Sequence, residues 1–312
     1  SRAQMSMLGR LQPENFYDLV IQIAIVRPGP IVGKMVHPYL RRRQKLELPE
    51  YHNAICEKIL SKTLGVPIFQ EQIMQMAIHL AGFTPGEADE LRRAIAAWRS
   101  EGSVNKVGKR LMAGLIKSGL PRSFCERIFE QIKGFAEYGF PESHAASFAL
   151  IAYVSSYLKC HHPCDFLVAM INSQPLGFYS NYVLIGEAKR AGVTVLPIDV
   201  NESEWDCAVI VRPDKRVAQL GFRVLQGASQ KHFTAIEQQR NQRFFDSLDD
   251  FLQRTHLPTA LLEKMALADF FRSFGEEQRS SLWKILRHEQ QRIQPDETQL
   301  SIMPANRAAQ PL

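Results

Sequence analysis

The helical character of the chain is clearest in residues 82–94, which read GFTPGEADELRRA. Thr84 suits the N-cap of a helix, and Pro85 suits the first helical position, where its missing N–H costs nothing. Glu87 lies where its carboxylate can accept from the backbone N–H of the N-cap residue, which completes a capping box. The stretch therefore predicts a helix that begins at Pro85.

The same predicted helix presents two arginines to its surroundings. Successive residues turn by about 100°, so Arg93 points away from the apolar face formed by Ala88, Leu91 and Ile95, and Arg92 lies on its flank. Guanidinium groups match phosphate oxygens, which favours a phosphate clamp. The alternative is an ion pair within the helix, because an aspartate precedes Arg93 by four residues in the favourable orientation.

The overall composition is that of a globular protein with a basic excess. The chain has 312 residues, 45% of them hydrophobic, which is enough for one or two domains. Lys and Arg outnumber Asp and Glu by 38 to 32, which favours a polyanionic partner without identifying one. Five cysteines without framework spacing, and no apolar run of membrane-spanning length, predict a reducing cytoplasm and no membrane contact.

Apolar spacing predicts helices through the first half of the chain and short strands after residue 192. A long helix is expected over Ser143–Cys160, with its inward face formed by Ala146, Leu150, Tyr153, Val154 and Tyr157. Val193–Leu196 and Cys207–Val211 are typical of strands, and residues from Val217 to His288 read as helical again. The polar tail of residues 289–312 is predicted to be flexible.

Two groups of metal-ligating residue types have simpler explanations. Residues 160–164, CHHPC, contain zinc-ligand types, but five contiguous residues do not readily enclose a tetrahedral ion. Glu202, Glu204 and Asp206 alternate and could hold Mg²⁺ for phosphoryl transfer, although solvated acids on a surface connector explain the pattern as well. We therefore predict no metal site in this chain, which contains no Asp-x-Asp pair.

Two further patterns fit a nucleic-acid partner. Arg41, Arg42 and Arg43 form a basic run suited to backbone phosphates, with a solvated helix face as the alternative. Residues 134–141, GFAEYGFP, place aromatics among glycines, as base-stacking segments do, although turns that only pack share the pattern. Neither pattern alone identifies a nucleic-acid site.

Residues 225–229, LQGAS, indicate a turn between helices. With Gly227 and Ser229 the stretch is similar to the turn of a helix-hairpin-helix, whose backbone amides bind DNA phosphates without reading bases. An ordinary connecting turn has the same composition, so the pattern leaves both interpretations open.

Four motifs in this order resemble the bacterial replicative DNA polymerase III alpha subunit, a C-family polymerase. They are RPGP at residues 27–30, FQEQ at 69–72, GFTPGEAD with LRRA at 82–94, and YGF with SHAA at 138–146. Further stretches resemble the error-prone, damage-inducible paralogues: NSQP at 172–175, GFY at 177–179, DVN at 199–201 and WDC at 205–207. The resemblance extends from Ser1 to about Gly275.

This resemblance implies a mainly α fold. We expect a helical fingers domain over residues 1–172, a small α+β connector over 173–216, a helix-hairpin-helix-like DNA-binding domain over 217–288, and the tail over 289–312. Ser229 stands where the family often has a second hairpin glycine, and Asp269 stands where the replicative enzyme has glycine. Both departures would weaken contact between the hairpins and DNA phosphates.

The resemblance also implies an error-prone DNA-directed DNA polymerase of translesion synthesis and DNA repair. In such enzymes three palm aspartates hold two Mg²⁺ ions, and they would lie N-terminal to this chain, which alone is expected to be inactive. Arg92 and Arg93 would face the triphosphate of the incoming dNTP. Tyr138 and His144 would lie near its sugar and base, and Arg27 would support the same site.

The partners implied are template-primer DNA, the dNTP and other translesion proteins. Residues Gln299–Met303, QLSIM, are similar to the short peptides that dock on sliding clamps. Two alternatives remain: a non-catalytic DNA-binding or scaffold module left after loss of the palm, and a metal-dependent nuclease that uses Glu202, Glu204 and Asp206.

Overall fold

The computed structural model describes residues 2–26, 36–96, 104–135, 141–177 and 179–293. Two compact units divide the chain, Ser1–Ser156 and Tyr157–Leu312. Both are dominated by helices, and the second also contains a small sheet. The predicted mainly α fold with a small α+β portion is therefore confirmed. The boundaries proposed at residues 172, 216 and 288 stay predictions.

The first unit consists of helices around one apolar core. These helices are α1 (Arg2–Leu11), α2 (Phe16–Ile25), α3 (Val36–Arg43), α4 (Ala54–Leu60), α5 (Gln70–His79), α6 (Pro85–Ala96), α7 (Val104–Lys117), α8 (Arg122–Phe135) and most of α9 (Glu142–His161). The largest fully buried side chains of this core are Leu11, Ile21, Ile25, Tyr39, Leu60, Ile68 and Phe69.

The helix predicted from residues 82–94 is present, and its capping box is confirmed. Thr84 N donates to Glu87 Oε2 at 2.9 Å, and Glu87 N donates to Thr84 Oγ1 at 3.3 Å. The two reciprocal bonds satisfy donors that have no acceptor within the helix. They explain why α6 begins at Pro85.

The long helix predicted over Ser143–Cys160 is present as α9, but its inward face was predicted wrongly. Its buried residues are Ala145 and Ala149, whereas the bulky side chains predicted to face inward are about half exposed: Leu150, Tyr153, Val154 and Tyr157. Apolar residues occur on all sides of α9, so spacing alone did not distinguish one face. The two alanines allow the helix backbone to approach the core closely.

After the last residues of α9, the second unit contains α10 (Pro163–Asn172) and α11 (Asn181–Arg190). Strands β1 (Thr194–Leu196), β2 (Ala208–Val211) and β3 (Arg216–Gln219) follow. The strand order is β1-β3-β2. β1 pairs with β3 in parallel, and β2 pairs with β3 in antiparallel. Val195 and Val209 both lie opposite Ala218, which is fully buried at the centre of the sheet.

The two predicted strands are confirmed as β1 and β2, but the prediction of helix for residues 217–219 was wrong. Residues 216–219 form the central strand β3 instead. Arg212 N donates to Lys215 O at 2.8 Å across a Pro213-Asp214 turn, which joins β2 and β3 as a hairpin. Such a Pro-Asp turn between apolar runs is a strand signal that the helical reading overlooked.

The remainder of the second unit is helical: α12 (Gln230–Gln242), α13 (Leu248–Thr255), α14 (Thr259–Leu267) and α15 (Gln278–Ile293). Its core contains phenylalanine rings packed edge to face, including Phe222 against Phe270 at 4.8 Å and Phe251 against Phe271 at 5.2 Å. In the described ranges, we find no helix that combines the length and the apolar character needed to cross a membrane.

Candidate functional site

The two arginines predicted to face phosphate lie on α6 and share one carboxylate. Arg92 Nη2 is 2.8 Å from Asp89 Oδ1, and Arg93 Nη2 is 3.2 Å from Asp89 Oδ2. The hydrogen bond from Arg92 lowers the pKa of Asp89. The guanidinium side chains nevertheless remain 42% and 68% exposed, so their outer donors are open to a further anion. The ion-pair and phosphate interpretations are therefore compatible.

The start of α6 is tied to α7 through Glu87. Arg110 Nη1 donates to Glu87 Oε1 at 2.6 Å, and its guanidinium also lies 4.7 Å from the centroid of the Phe83 ring. The hydrogen bonds from Arg110 and from the Thr84 backbone lower the pKa of Glu87 to about 2. The helix that carries the two arginines is thus fixed at its first turn.

Three further residues were predicted to contact or support the nucleotide: His144, Tyr138 and Arg27. His144 is exposed in the first turn of α9, where its ring lies 4.7 Å from that of Phe148. Tyr138 and Arg27 lie outside the described residues. Convergence of Arg92, Arg93, His144 and Tyr138 on one surface therefore stays a prediction.

The beginning of α9 is held by three side chains, Tyr17, Glu71 and Glu142, which we name the α9 anchor. Tyr17 Oη donates to Glu142 Oε1 at 2.6 Å. The backbone N–H of Glu142 donates to both carboxylate oxygens of Glu71, at 3.1 and 3.0 Å. Burial, and next the hydrogen bond to Glu142, raise the pKa of Tyr17 above its usual value. Sequence reasoning missed this anchor, although Glu71 belongs to the FQEQ motif.

The neighbouring Gln72 of that motif fixes the start of α5. Its side-chain oxygen accepts from the backbone N–H groups of Ile68 and Phe69 at 2.8 and 3.1 Å. Its amide nitrogen donates to Ile59 O at 3.1 Å and to Thr63 Oγ1 at 2.8 Å. Each hydrogen-bonding group of this buried amide has a partner. An arrangement of the chain that separated them would leave the amide or its backbone partners buried without hydrogen bonds, so the bonds favour the arrangement observed.

The environment of Arg42 does not favour the predicted contact with DNA. Its side chain is only 6% exposed, Nη1 donates to Leu64 O at 2.7 Å, and Nε donates to Glu47 Oε1 at 3.2 Å. Arg41 binds the other oxygen of Glu47 at 3.2 Å and remains 59% exposed. The structure therefore gives Arg42 a structural role and leaves Arg41 as a candidate for contact with phosphate.

Arg43 likewise uses most of its donors within the first unit. Its Nε donates to Leu11 O at 3.1 Å, and its Nη2 donates to Gln12 O at 3.0 Å and to Asp18 Oδ2 at 2.9 Å. The side chain is 20% exposed. These contacts join α3 to the segment between α1 and α2, which accounts for Arg43 without a DNA phosphate.

The predicted hairpin turn at Gly227 and Ser229 has the expected local geometry. Gly227 has a φ of +91°, a conformation that side chains rarely adopt, and a Cβ there would lie 3.1 Å from Lys264 Nζ. Ser229 is the N-cap of α12 and accepts from His232 N at 3.4 Å. The turn thus places an exposed ammonium group beside the backbone at the start of a helix.

The second predicted hairpin has an aspartate at its turn. Asp269 has a φ of +61°, and its carboxylate lies 3.6 Å from Arg272 Nη1. It borders a concave surface whose charged lining residues also include Arg272, Glu276, Glu277 and Arg279. Asp269 therefore occupies a left-handed position that favours glycine and adds negative charge where a phosphate would approach.

Two of the three acids considered as magnesium ligands, Glu204 and Asp206, pair with separate arginines. Glu204 Oε1 lies 2.8 Å from Arg240 Nη2, and Asp206 Oδ1 lies 2.5 Å from Arg223 Nη1. Within the ranges that the structure describes, no three or more His, Cys, Asp or Glu side chains are arranged to hold a metal ion.

Comparisons with known proteins agree with these features. Residues 1–119 match the bacterial DNA polymerase III alpha subunit finger domain, and residues 192–281 match the helix-hairpin-helix motif. The error-prone DNA polymerase of Methylococcus capsulatus is 50% identical over 303 residues, which cover 91% of this chain and 29% of that protein. For that of Bordetella bronchiseptica the identity is 51% over 286 residues, covering 91% and 27%.

The error-prone DNA polymerase of Burkholderia pseudomallei is 48% identical over 323 residues, covering 100% of this chain and 30% of that protein. The chain thus spans less than a third of the length of these relatives. The finger-domain match includes α6 with its two arginines, and the helix-hairpin-helix match includes both hairpins. The chain therefore belongs to the bacterial C-family DNA polymerases, of which it contains the finger domain and a helix-hairpin-helix motif.

Proposed function

We propose that this chain supplies the nucleotide-binding fingers and a duplex-binding hairpin of an error-prone DNA-directed DNA polymerase. The observation that carries the proposal is the exposed pair Arg92 and Arg93, held by Asp89 on a capped helix within the finger-domain match. The relatives are named for DNA synthesis, and a polymerase must neutralise the triphosphate of its substrate.

In this function the two guanidinium groups bind the triphosphate and stabilise the charge that develops on the pyrophosphate as it leaves. Asp89 limits the rotamers of both arginines, so less conformational freedom is lost when the nucleotide binds. His144 and Tyr138 contact the sugar and base, and Arg27 supports the same pocket. These assignments follow from the resemblance at residues 27–30, 82–94 and 138–146.

The Mg²⁺ ions that such a polymerase uses supply charge neutralisation for the reacting phosphate. Glu204 and Asp206 are already paired with arginines, so we assign the metal ligands to carboxylates outside this chain. We accordingly expect primer extension to fail with the isolated chain.

DNA binding by the second unit rests on the first hairpin. The left-handed turn at Gly227, the N-terminus of α12 and the exposed Lys264 present backbone N–H groups and a cation together. Such a surface binds backbone phosphates regardless of sequence. Template-primer DNA is the proposed partner of this surface. A sliding clamp, bound through Gln299–Met303, and other translesion proteins are further candidate partners. The proposed location is the cytoplasm.

The nucleotide assignment is tested by Arg93→Ala in a full-length polymerase that carries this segment. We expect KM for the dNTP to rise roughly tenfold, because a charge-assisted contact with phosphate is lost. The melting temperature should stay close to that of the parent, because exposed ion pairs contribute little to stability. Unchanged incorporation with a sharp loss of stability would contradict the assignment.

A matched control is Arg122→Ala. Arg122 is also an exposed helical arginine, paired with Glu126 four residues away at 2.9 Å. Its loss removes the same charge and the same kind of ion pair from α8. We expect wild-type KM for this variant, so a comparable rise there would attribute the effect to net charge rather than to the nucleotide site.

The alternative function is a DNA-binding scaffold without a nucleotide site. The basic excess and the first hairpin fit this function as well. The salt dependence of duplex binding measures the number of phosphate contacts in either case. A scaffold predicts that Arg93→Ala leaves nucleotide incorporation unchanged while the salt dependence of duplex binding remains steep.

A further inference from the structure

The α9 anchor connects distant parts of the first unit at the start of one helix. Tyr17 lies 125 residues before Glu142, and Glu71 lies 71 residues before it. The first N–H groups of a helix have no acceptor within the helix, so Glu71, on α5, satisfies one of those of α9. The negative charge also interacts favourably with the positive end of the helix dipole.

Two members of the anchor are themselves held by well-packed neighbours. The ring of Tyr17 meets the fully buried Phe69 edge to face at 6.4 Å, and Lys62 Nζ lies 5.0 Å from the centroid of the same ring. Glu71 follows the first residue of α5, whose start Gln72 fixes through four hydrogen bonds. The anchor therefore transmits the position of α2 and α5 to α9.

The first turns of α9 pack against the core of the first unit through small side chains. The buried residues of this helix are Ala145 and Ala149, small side chains that give little directional restraint. His144 lies two residues after Glu142 and is exposed. Its ring also contacts Phe148 on the same helix, so the ring moves with the backbone of α9, whose first residue the anchor holds.

We propose that Tyr17 and Glu71 are positioning residues for the nucleotide pocket, which hold the first turn of α9 so that His144 faces the incoming nucleotide. The inference rests on the proposed function, in which His144 contacts the nucleotide. Small displacements of a binding group reduce affinity and rate strongly, so a distant hydrogen bond can affect incorporation.

The surroundings of the anchor allow its hydroxyl to be removed without unfolding the unit. Tyr17, Glu71 and Glu142 border a concave site of about 440 Å³, which Lys58 and Lys62 also line. Water can therefore reach Glu142 when its partner is lost, so no carboxylate is left buried and unsolvated. The aromatic ring of Tyr17→Phe still packs against Phe69.

The test is Tyr17→Phe in a full-length polymerase that carries this segment. We expect KM for the dNTP to rise roughly tenfold, because a small displacement of His144 reduces affinity for the nucleotide. The melting temperature should change little, because water replaces the lost partner of Glu142. Glu142→Gln keeps an acceptor oxygen and should retain the parental KM, whereas Glu142→Ala should reproduce the defect. Tyr182→Phe, at a tyrosine that is 87% exposed in the second unit, is the matched control.

His144→Ala separates failure of the inference from failure of the proposed function. If His144→Ala leaves KM unchanged, His144 does not contact the nucleotide, and the proposed pocket and the inference fail together. If His144→Ala raises KM and Tyr17→Phe does not, the positioning role alone is overturned. A lower melting temperature for Tyr17→Phe at unchanged KM would likewise make Tyr17 merely structural.

The double variant gives the decisive comparison. If Tyr17 acts through His144, the Tyr17→Phe, His144→Ala variant should have the same KM as His144→Ala alone, because the positioned group is gone. If the rise in KM of the double variant instead equals the product of the rises in the two single variants, the two residues act independently and the inference is overturned.

Discussion

Adjacent arginines in α3 have different environments although their side chains are identical. Arg42 is buried with its charge bonded to Leu64 O and Glu47, whereas Arg41 is 59% exposed and shares Glu47 only as a surface pair. A buried guanidinium must keep its partners because it cannot lose its proton. The sequence gives the charge of such a run but not which member turns inward.

Arg42→Ala should destabilise the chain by about 2 kcal/mol. The change removes the charged donor to Leu64 O and leaves the space beside Gly65 unfilled. Arg41→Ala removes the same charge from the surface and should change stability by less than about 0.5 kcal/mol. Urea unfolding of both variants measures the difference. Equal effects would contradict the structural role of Arg42.

At the scale of elements, α6 is the part best predicted from sequence. Its capping box and its exposed arginines follow from local rules that act within four residues. The inward face of α9 and the strand β3 do not, because burial there depends on which distant segments cover them. The α9 anchor is the extreme case, since Glu71 and Tyr17 lie 71 and 125 residues before Glu142.

Acid should loosen the first turn of α6. The pKa of Glu87 is lowered from 4.5 to about 2, so its stabilising contribution is complete above pH 4.5 and is lost as the pH falls towards 2. Glu87→Gln cannot ionise, and the variant should lack this pH dependence. Amide hydrogen exchange at α6 in both proteins, between pH 4.5 and 2, checks the prediction. Identical profiles would refute it.

Asp269→Asn should increase duplex affinity several-fold at low salt. The change removes a negative charge from the second hairpin while asparagine still tolerates the left-handed conformation. Asp269→Gly should bind similarly and also gain about 1 kcal/mol of stability. Duplex titrations at several salt concentrations test this.

The control for that experiment is Asp214→Asn, in the exposed turn between β2 and β3. It removes the same charge from the same unit away from the hairpin. We expect its duplex affinity to remain close to that of the parent. If it rises as much as in Asp269→Asn, the gain reflects net charge and not the hairpin.

For the molecule as a whole, the sequence allowed the mainly α fold, the polymerase family and the exposure of Arg92 and Arg93 to be predicted. Local spacing and long motifs carry this information. The separate roles of Arg41, Arg42 and Arg43 were not predictable, because burial of one charge depends on a carbonyl 22 residues away. The convergence of the residues proposed to bind the nucleotide likewise depends on long-range packing and stays a prediction.

The central claim is that this chain binds the nucleotide while the metal-binding carboxylates lie elsewhere. It is tested most directly by replacing the matching segment of the Methylococcus capsulatus error-prone DNA polymerase with this chain and measuring single-nucleotide incorporation. We predict an active hybrid in which Arg92→Ala and Arg93→Ala each raise KM for the dNTP roughly tenfold. An active hybrid whose KM is unaffected by both changes would contradict the claim.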